Sequence, residues 1–335
     1  MKIIFFETGP WEEKALKRLS GHEVVFSAEP LTSENAGLAS GSEVVSASIY
    51  SDLRAGVLEK LGRLGLVAVR SAGYDNVDVD YCLRRGIVVS RIPEYGGNTV
   101  AEFTLALMLA ASRKVVRAAA RAREGDFSLE GLNGFDLAGR VLGVIGTGRI
   151  GRQVIKYAGC IGMEAVAFSR TRYADLEKEL GFRYTGFREL LSLSDIISLH
   201  VPATSQTRGM LSDDQFAAMK KGVVLVNTSR GEIVDTKALL RALESGKVSA
   251  AALDVLPREK TLRSETELLR AACEGCEDPE GLLAAQALLR HRNVIATPHI
   301  AFFTDEAIRR ALEVTIENIT SFIKGKPINS VTRAA

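Results

Sequence analysis

The chain has 335 residues, of which 46% are hydrophobic and 25% charged, and its formal net charge is +2. This composition is ordinary for a globular protein, and the length favours two domains over one. So small a net charge gives no general attraction to nucleic acid or to an acidic membrane surface, so neither is an expected partner. The most apolar run, residues 103–111, is far shorter than the roughly 20 residues that a bilayer requires.

The N-terminal residues, MKIIFFETGPWEEK, become charged too early for a secretory signal and predict a first strand instead. Four cysteines in so long a chain do not resemble a disulfide framework, so the reducing cytoplasm is the expected compartment. Cys273 and Cys276 form a CxxC pair, but no second ligand pair follows at a spacing typical of zinc sites. The pair also ends a helical run, whereas a redox CxxC usually opens one. We therefore predict no metal site.

Short β-branched runs alternate with helical stretches from the beginning of the chain. The first predicted strands are residues 2–7, 23–28, 43–48, 66–71 and 87–92. Each run is almost continuously apolar, which is typical of strands buried on both faces of a parallel sheet. A long helix follows over residues 99–123, and it is apolar around most of its circumference. Such a helix usually lies between domains or between subunits.

The same alternation resumes after this helix. The second series of predicted strands is 140–146, 164–169, 195–201, 222–229, 250–255 and 293–298. A capping box, SDDQ at 212–215, begins one of the intervening helices, and a last helix is predicted over 305–325. This repeated βαβ pattern predicts an α/β protein with two doubly wound parallel sheets.

GTGRIG, residues 146–151, follows a predicted strand and opens a predicted helix. In this setting Gly146 allows a tight turn, Gly148 lets the backbone approach a pyrophosphate, and Gly151 lets the helix pack on the strand. The helix N-terminus would attract the anion. The segment therefore predicts a dinucleotide-binding loop, and the alternative is a glycine-rich turn without a ligand.

Three predicted strand ends in the second half carry groups suited to acid–base chemistry. Among the four histidines, His299 follows NVIATP, whose proline forces an extended backbone, so the side chain would project into a crevice. His200 also ends a strand, but a structural or cofactor-lining role explains it better. Arg230 offers a fork suited to a substrate carboxylate. Glu259, which follows Asp254 on another strand end, would favour a protonated imidazole and fix its tautomer. The alternative is a set of unrelated surface charges.

Several separated segments together resemble the D-isomer-specific 2-hydroxyacid dehydrogenase family. They are GTGRIG, HVPAT…T (200–207), NTSRGEIVD (227–235), ALDVLPRE (252–259) and TPHIAFFT (297–304), with RSAGYDNVD (70–78) and PEYGGNTVAE (93–102) extending the resemblance over nearly the whole chain. The resemblance implies a Rossmann cofactor domain, residues 99–299, inserted into a flavodoxin-like substrate domain, residues 1–98 and 300–335. It also implies a homodimer formed through the long helix after residue 99.

The resemblance further implies roles for individual residues. Arg230, Glu259 and His299 would be catalytic, and the amides of Ala72 and Gly73 would hold the substrate carboxylate. The positions implied to contact the cofactor are Gly146, Gly148, Arg149, Ile150, Gly151, His200, Val201, Pro202, Thr207, Asn227, Thr228, Ser229 and Asp254, the last of these near the nicotinamide.

Two features depart from the family pattern. Lys260 follows Glu259, where many relatives have proline. The segment between Glu259 and His299 is also longer than in most relatives, and it contains two predicted helices, ETELLRAACEGC and GLLAAQALLRH. A lid or a subunit contact is the expected role of these helices.

The predicted activity is reversible hydride transfer between a nicotinamide cofactor and a small 2-keto acid. Tyr95 and Phe302 match positions that surround a small methyl-bearing substrate in the D-lactate dehydrogenases of this family. Two aromatic walls would favour pyruvate or a modestly larger apolar keto acid. Glyoxylate or hydroxypyruvate is the alternative substrate. A non-catalytic dinucleotide sensor, like the transcriptional corepressor built on the same fold, is the alternative function.

The end of the second strand in the cofactor domain bears on the choice of cofactor. An NAD-binding fold of this type usually carries Asp or Glu there, about 20 residues after the glycine loop. This chain has FSRTR, residues 168–172, instead. Ser169, Arg170 and Arg172 would supply hydrogen bonds and charge to a 2′-phosphate. The sequence therefore predicts NADP in preference to NAD, and the alternative is a pair of solvated arginines with either cofactor accepted.

Overall fold

The computed structural model describes residues 1–19, 21–94, 96–257, 259 and 278–332. The strands are β1 Lys2–Phe5, β2 Glu23–Phe26, β3 Val44–Ala47, β4 Leu66–Val69, β5 Val88–Ser90, β6 Val141–Ile145, β7 Glu164–Phe168, β8 Arg183–Tyr184, β9 Ile196–Leu199, β10 Val223–Asn227, β11 Val248–Leu253 and β12 Val294–Ala296. The α-helices are α1 Pro10–Leu16, α2 Ala55–Leu58, α3 Val79–Arg84, α4 Gly97–Arg113, α5 Val115–Arg123, α6 Arg149–Cys160, α7 Ala174–Leu180, α8 Phe187–Leu193, α9 Asp213–Ala218, α10 Thr236–Glu244, α11 Pro279–Arg290 and α12 Asp305–Ile323. Short 3₁₀ helices lie at Lys17–Leu19, Ala36–Ala39 and Gly231–Ile233.

These elements form two compact units. One consists of Met1–Gly96 together with Phe303–Ala335, and the other is Gly97–Phe302. The second unit is therefore inserted into the first along the chain. The two boundaries lie between residues 96 and 97 and between residues 302 and 303. The sequence predicted them between 98 and 99 and between 299 and 300. Of the predicted functional positions, Tyr95 lies outside the described residues, as do Lys260 and the CxxC cysteines.

The first unit is built on a five-stranded parallel sheet in the order β2-β1-β3-β4-β5. This is the flavodoxin-like strand order, with its reversal point between β1 and β3. The strands are mostly apolar, and helices cover both faces of the sheet. Leu16 of α1 and Ile319 of α12 pack on one face, and Val57 of α2 and Cys82 of α3 pack on the other.

The second unit is built on a seven-stranded parallel sheet in the order β12-β11-β10-β9-β6-β7-β8. This is the Rossmann order, extended by β12. Ligands bind at the carboxyl ends of such strands. Those ends are aligned, because Ile145 at the end of β6 pairs with Phe168 of β7 and with Leu199 of β9. The predicted fold class, two doubly wound parallel sheets, is confirmed.

The strand β8 has no counterpart among the predicted elements. It is only two residues long, Arg183–Tyr184, and it pairs with β7 through Val166 and Ala167. Two residues are too few for an alternating or continuous apolar pattern to show in a sequence. The tertiary contact with β7 decides that this segment is a strand.

The helix predicted over 99–123 is broken at Lys114. α4 ends at Arg113, and Lys114 has a φ of 52°, in the left-handed region. The carbonyl of Ser112 accepts a hydrogen bond from the amide of Phe135 at 3.1 Å, and a Cβ at Gly134 would clash with that same carbonyl oxygen. The segment at Phe135 thus occupies the Ser112 carbonyl, which a continuous α-helix would need as an acceptor for one of its own amides. The apolar periodicity of the sequence contains no sign of this long-range contact.

The described part of the long segment before His299 packs within its own unit. α11 buries Leu282, Ala285 and Leu288, and Leu288 belongs to the same apolar cluster as Leu239 of α10. Leu283 and Leu289 of the same helix are exposed, so the lid or subunit contact expected of this segment stays a prediction. The preceding predicted helix lies outside the described residues.

No α-helix in the described ranges is long and apolar enough to cross a membrane. The two described cysteines carry free thiols, with Cys82 buried and Cys160 exposed. Burial raises the pKa of the Cys82 thiol to about 11, so this cysteine behaves as an unreactive core residue.

Candidate active site

The turn between β6 and α6 has the geometry of a phosphate-binding loop. Gly146 has a φ of 100°, and a Cβ there would clash with the carbonyl of His200. A Cβ at Gly151 would clash with the carbonyl oxygen of Gly146, so helix and turn meet only because both residues are glycine. Above Gly148, the N-cap of α6, the space is open, and no side chain caps the helix there. An anion would be attracted to this helix end, so the turn fits a dinucleotide pyrophosphate.

Two further predicted cofactor contacts lie in the first turn of α6. Arg149 is exposed and Ile150 is half-buried against the apolar core of the unit. Their position directly after the glycine turn places both beside the open helix end.

The segment FSRTR lies at the carboxyl end of β7, next to the glycine turn. Ser169 is half-buried, whereas Arg170 and Arg172 are exposed. Arg170 Nη1 donates to Gln206 Oε1 at 3.3 Å, and Arg172 Nη2 donates to the carbonyl of Thr185 at 3.0 Å. The described residues 168–172 therefore carry two guanidinium groups and a hydroxyl but no carboxylate.

The unpredicted strand β8 supports this edge of the site. The hydroxyl of Tyr184 is hydrogen-bonded to the hydroxyl of Thr147, inside the glycine turn, at 2.9 Å. The guanidinium carbon of Arg172 lies 5.8 Å from the centre of the Tyr184 ring. Tyr184 thus connects the glycine turn to the arginine segment.

His200 is the second histidine at a strand end, and its surroundings differ from those of His299. Its Nε2 is hydrogen-bonded to Ser198 Oγ at 2.8 Å. Burial lowers the pKa of His200 to about 3, so its imidazole is neutral near pH 7. His200 is therefore unsuited to donating a proton, which agrees with the structural or cofactor-lining role expected from the sequence.

The segment after His200 forms a tight turn at the end of β9. Val201 is half-buried and Pro202 is exposed. The Thr207 hydroxyl donates to the carbonyl of Pro202 at 2.5 Å and accepts from the amide of Thr204 at 2.8 Å. The side chain of Thr207 therefore holds this turn beside the glycine loop.

Asn227 organises the loop that carries Arg230. Its side chain is 1% exposed, and its Oδ1 accepts from the amide and the hydroxyl of Ser229 at 3.0 and 2.9 Å. Its Nδ2 donates to the carbonyl of Arg230 at 2.9 Å. Thr228 is hydrogen-bonded to Thr104 of α4 at 2.9 Å. The Asn227 amide, expected as a cofactor contact, is thus used within the protein to position Arg230.

Asp254, like Asn227, holds in place a loop that carries a candidate catalytic residue, in this case His299. Its side chain is 1% exposed, and its carboxylate accepts from the amides of Ile300 at 2.9 Å and Ala301 at 2.8 Å, and from the hydroxyl of Thr297. Burial raises the pKa of Asp254 above its usual value, although these hydrogen bonds oppose the shift. The carboxylate, expected near the nicotinamide, anchors the segment that carries His299.

His299 and Glu259 form a close pair. His299 Nδ1 lies 2.8 Å from Glu259 Oε2, and Glu259 Oε1 accepts from the amide of Leu256 at 3.1 Å. His299 has a φ of 56°, and its amide donates to the carbonyl of Asp254 at 2.9 Å. The ring of Phe302 meets the imidazole edge-on at a centroid distance of 6.0 Å. Because Nδ1 is taken up by Glu259, Nε2 is the atom left to exchange a proton with a substrate.

The candidate catalytic groups follow three neighbouring strands. β10, β11 and β12 are parallel and end in register, so the loops carrying Arg230, Glu259 and His299 leave the same edge of the sheet. A Cβ at Gly231 would clash with the backbone of Leu256–Pro257, so the first two loops are in direct contact. A guanidinium, a carboxylate and an imidazole at one sheet edge are suited to polarising a carbonyl and protonating its oxygen.

The loop after β4, in the other unit, contains Ala72 and Gly73. Their amides donate no hydrogen bond to any residue that the structure describes, whereas the carbonyl of Ala72 accepts from Arg91 Nη1 at 3.0 Å. The loop therefore retains two donors that an anion could bind, and the carboxylate contact expected of Ala72 and Gly73 stays a prediction.

Residues 105–301 match the sequence model of the D-isomer specific 2-hydroxyacid dehydrogenase family, NAD binding domain. The chain belongs to this family. It is 35% identical over 331 residues to the D-lactate dehydrogenase of Escherichia coli, and the match covers 97% of this chain and 98% of that protein. It is 38% identical over 292 residues to the glyoxylate reductase of Korarchaeum cryptofilum, covering 85% and 82% respectively.

A solved structure extends the similarity to three dimensions. The D-lactate dehydrogenase of Aquifex aeolicus, complexed with NAD and lactic acid, matches with a TM-score of 0.87 and 36% identity over 99% of this chain and 100% of that one. The present protein is thus a 2-hydroxyacid dehydrogenase, an oxidoreductase that transfers hydride between a nicotinamide cofactor and the CH–OH group of a 2-hydroxy acid. The predicted family and enzyme class are confirmed.

Proposed function

We propose that this dehydrogenase reduces pyruvate, or a modestly larger apolar 2-keto acid, to the D-2-hydroxy acid, with Arg230, Glu259 and His299 as its catalytic residues. The observation that carries the proposal is the 2.8 Å pair of His299 Nδ1 and Glu259 Oε2, at the same sheet edge as Arg230. A carboxylate-held imidazole beside a guanidinium is the set of groups that keto-acid reduction requires.

In this proposal each residue has one task. Arg230 pairs with the substrate carboxylate and polarises the keto oxygen, and the amides of Ala72 and Gly73 bind the carboxylate as well. His299, protonated and held through Nδ1 by Glu259, donates its Nε2 proton to the oxygen as negative charge develops there. The nicotinamide, when bound, supplies the hydride that the keto carbon receives. In the reverse direction His299 accepts the hydroxyl proton.

The proposed substrate rests on the aromatic ring of Phe302 beside His299. Phe302 lies edge-on against the imidazole, and the similarity to D-lactate dehydrogenases points the same way. The similarity to a glyoxylate reductase favours the second candidate, reduction of glyoxylate or hydroxypyruvate.

A panel of 2-keto acids separates the two candidates. Hydroxypyruvate differs from pyruvate by one hydroxyl, and an apolar wall offers that group no partner. We expect kcat/KM for pyruvate to exceed that for hydroxypyruvate and glyoxylate by about 10-fold or more. Oxidation of the reduced cofactor, followed by fluorescence, gives these constants. The reverse order would identify a glyoxylate or hydroxypyruvate reductase instead.

We also propose that the enzyme prefers NADP to NAD. Ser169, Arg170 and Arg172 at the end of β7 support this choice, because a 2′-phosphate would meet two guanidinium groups and a hydroxyl, with no carboxylate to repel it. The family as a whole is described by its NAD binding, so the preference is a property proposed for this chain.

Replacing Arg170 by alanine tests the cofactor preference. We expect kcat/KM for NADPH to fall about 10-fold or more, since a charge-assisted hydrogen bond contributes roughly 1.5–3 kcal/mol. The value for NADH should stay unchanged. Arg188→Ala, which removes an exposed arginine of α8, is the matched control. A wild-type enzyme that favours NADH would contradict the proposal, whatever the variant does.

We further propose a homodimer formed through α4, α5 and the loop that follows them. Large apolar side chains are exposed along this stretch: Leu109, Val115, Val116, Phe127 and Leu129. Clustered exposed apolar residues are typical of protein interfaces. The molar mass in solution, measured by sedimentation, tests this proposal.

A further inference from the structure

The loop after β4 has an asymmetric pattern of hydrogen bonds. The carbonyls of Ser71, Ala72, Gly73 and Tyr74 all accept hydrogen bonds within the protein: from the amide of Ile92 at 3.1 Å, Arg91 Nη1 at 3.0 Å, Ser71 Oγ at 2.5 Å and the amide of Val77 at 3.0 Å. The amides of Ala72, Gly73 and Tyr74 donate to no residue in the described part of the chain.

Planar trans peptides explain how this pattern makes an anion site. In each peptide the C=O and the N–H point in opposite directions. A bond that fixes the carbonyl of Ala72 therefore also fixes the amide of Gly73, on the opposite side. The same holds for the carbonyl of Gly73 and the amide of Tyr74. Successive amides aimed away from bonded carbonyls form a concavity that binds anions.

Arg91 is the one charged donor in this arrangement, and it lies outside the loop. Its guanidinium reaches back from the end of β5 to the carbonyl of Ala72 and lies 5.6 Å from the centre of the Tyr74 ring. Both backbone groups of Arg91 are hydrogen-bonded. The Arg91 amide donates to the carbonyl of Asn329 at 3.2 Å, and the Arg91 carbonyl accepts from Asn318 Nδ2 at 3.0 Å. Asn329 Nδ2 donates in turn to Asn318 Oδ1 at 2.8 Å.

We propose that Arg91 is a positioning residue for the substrate carboxylate. Its bond to the Ala72 carbonyl holds the Ala72–Gly73 peptide with the Gly73 amide turned outward, and its charge polarises that peptide so that the amide binds an anion more strongly. Arg91 acts through the loop, because its guanidinium is occupied by Ala72 and Tyr74. The inference rests on the proposed function, which assigns the carboxylate to this loop.

Arg91→Met tests the role, because methionine keeps an apolar stem beside Tyr74 and removes both the charge and the hydrogen bond. We expect KM for pyruvate to rise about 10- to 100-fold, as for the loss of one charge-assisted bond, with kcat within about threefold of wild type. Binding of the reduced cofactor, followed by fluorescence, should not change. The affinity of oxamate, an unreactive carboxylate analogue of pyruvate, should fall in parallel with the KM effect.

The matched control is Arg85→Met. Arg85 also lies over a tyrosine, 6.0 Å from the centre of the Tyr81 ring, but it is exposed and directly follows α3. Its removal should leave both KM and kcat unchanged. The thermal midpoint of each variant shows whether it is folded.

Arg91→Lys gives a second measurement and decides the matter if the methionine variant does not fold. Lysine keeps the charge without the planar fork, so an intermediate KM with unchanged kcat is expected. An unchanged KM in a folded Arg91→Met variant, or a loss confined to kcat, overturns the role. So does an unchanged KM for Arg91→Lys when that variant alone folds.

Failure of this inference and failure of the proposed function give different results. If wild type prefers another 2-keto acid, the same comparison applies with that acid, since all of them carry the carboxylate. If wild type turns over none of them, the proposed function fails. Calorimetric binding of oxamate to wild type and Arg91→Met then still decides the role of Arg91: a weaker affinity in the variant supports it, and equal affinities overturn it.

Discussion

Replacing His299 by alanine is expected to lower kcat by about 10²- to 10⁴-fold, which is the usual contribution of a general acid. The reason lies in the geometry of the pair: Glu259 holds Nδ1 at 2.8 Å, so the variant loses the group whose Nε2 would protonate the keto oxygen. Cofactor binding should not change, because the glycine turn belongs to another part of the sheet. Steady-state kcat and cofactor affinity by fluorescence are the measurements.

His22→Ala is the matched control for this variant. His22 is half-buried beside β2, and its Nδ1 has no hydrogen-bond partner within the described structure, so its loss should cost no activity. Full turnover by a folded His299→Ala enzyme would rule out the assignment of the general acid.

Combining the change with Glu259→Gln shows whether the two residues act as a unit. Glutamine keeps an acceptor for the amide of Leu256 but removes the negative charge that lies against Nδ1 of His299. We expect a large loss for the single variant and almost no further loss when it is added to His299→Ala, since residues that act together are strongly non-additive. Additive losses would mean that Glu259 has a separate role.

Replacing Gly151 by alanine is expected to lower both the free energy of unfolding and the affinity for the cofactor. A Cβ at Gly151 would clash with the carbonyl oxygen of Gly146, and Val144 Cγ1 would lie 3.3 Å from it. α6 and the turn would have to move apart, and overpacking of this kind typically costs about 1–3 kcal/mol. Denaturant unfolding gives the first quantity, and titration with the cofactor gives the second.

Gly148→Ala separates the two effects. Gly148 has a φ of −68°, which alanine adopts without strain, and a Cβ there would have no atom within 4 Å. The unfolding free energy should therefore stay close to wild type, while a Cβ above the helix N-terminus obstructs the pyrophosphate and weakens cofactor binding. Unchanged cofactor affinity in this variant would remove the turn from the proposed cofactor site. Unchanged stability in Gly151→Ala would show that α6 can shift at no cost.

The sequence by itself was sufficient for the fold class and the family. Strands buried on both faces must be continuously apolar, so the runs at 2–7 and 140–146 were recognisable without any neighbour. The glycine turn was recognisable too, because the constraint it satisfies is local: a positive φ at Gly146 and a close approach at Gly151. The ordered family motifs then led to the enzyme class, which the relatives confirm.

Only the tertiary structure decided features that depend on residues far apart in the chain. Phe135 takes the Ser112 carbonyl and ends α4, and pairing with β7 makes a strand of Arg183–Tyr184. Contacts between residues far apart in the chain also decide the roles of side chains in the candidate active site. Asp254 follows a buried strand, and its carboxylate accepts hydrogen bonds from the segment 297–301 and anchors it. A sequence shows which groups are available at a strand end. Which of them face a ligand and which hold the loops in place depends on long-range packing, which has no local signature.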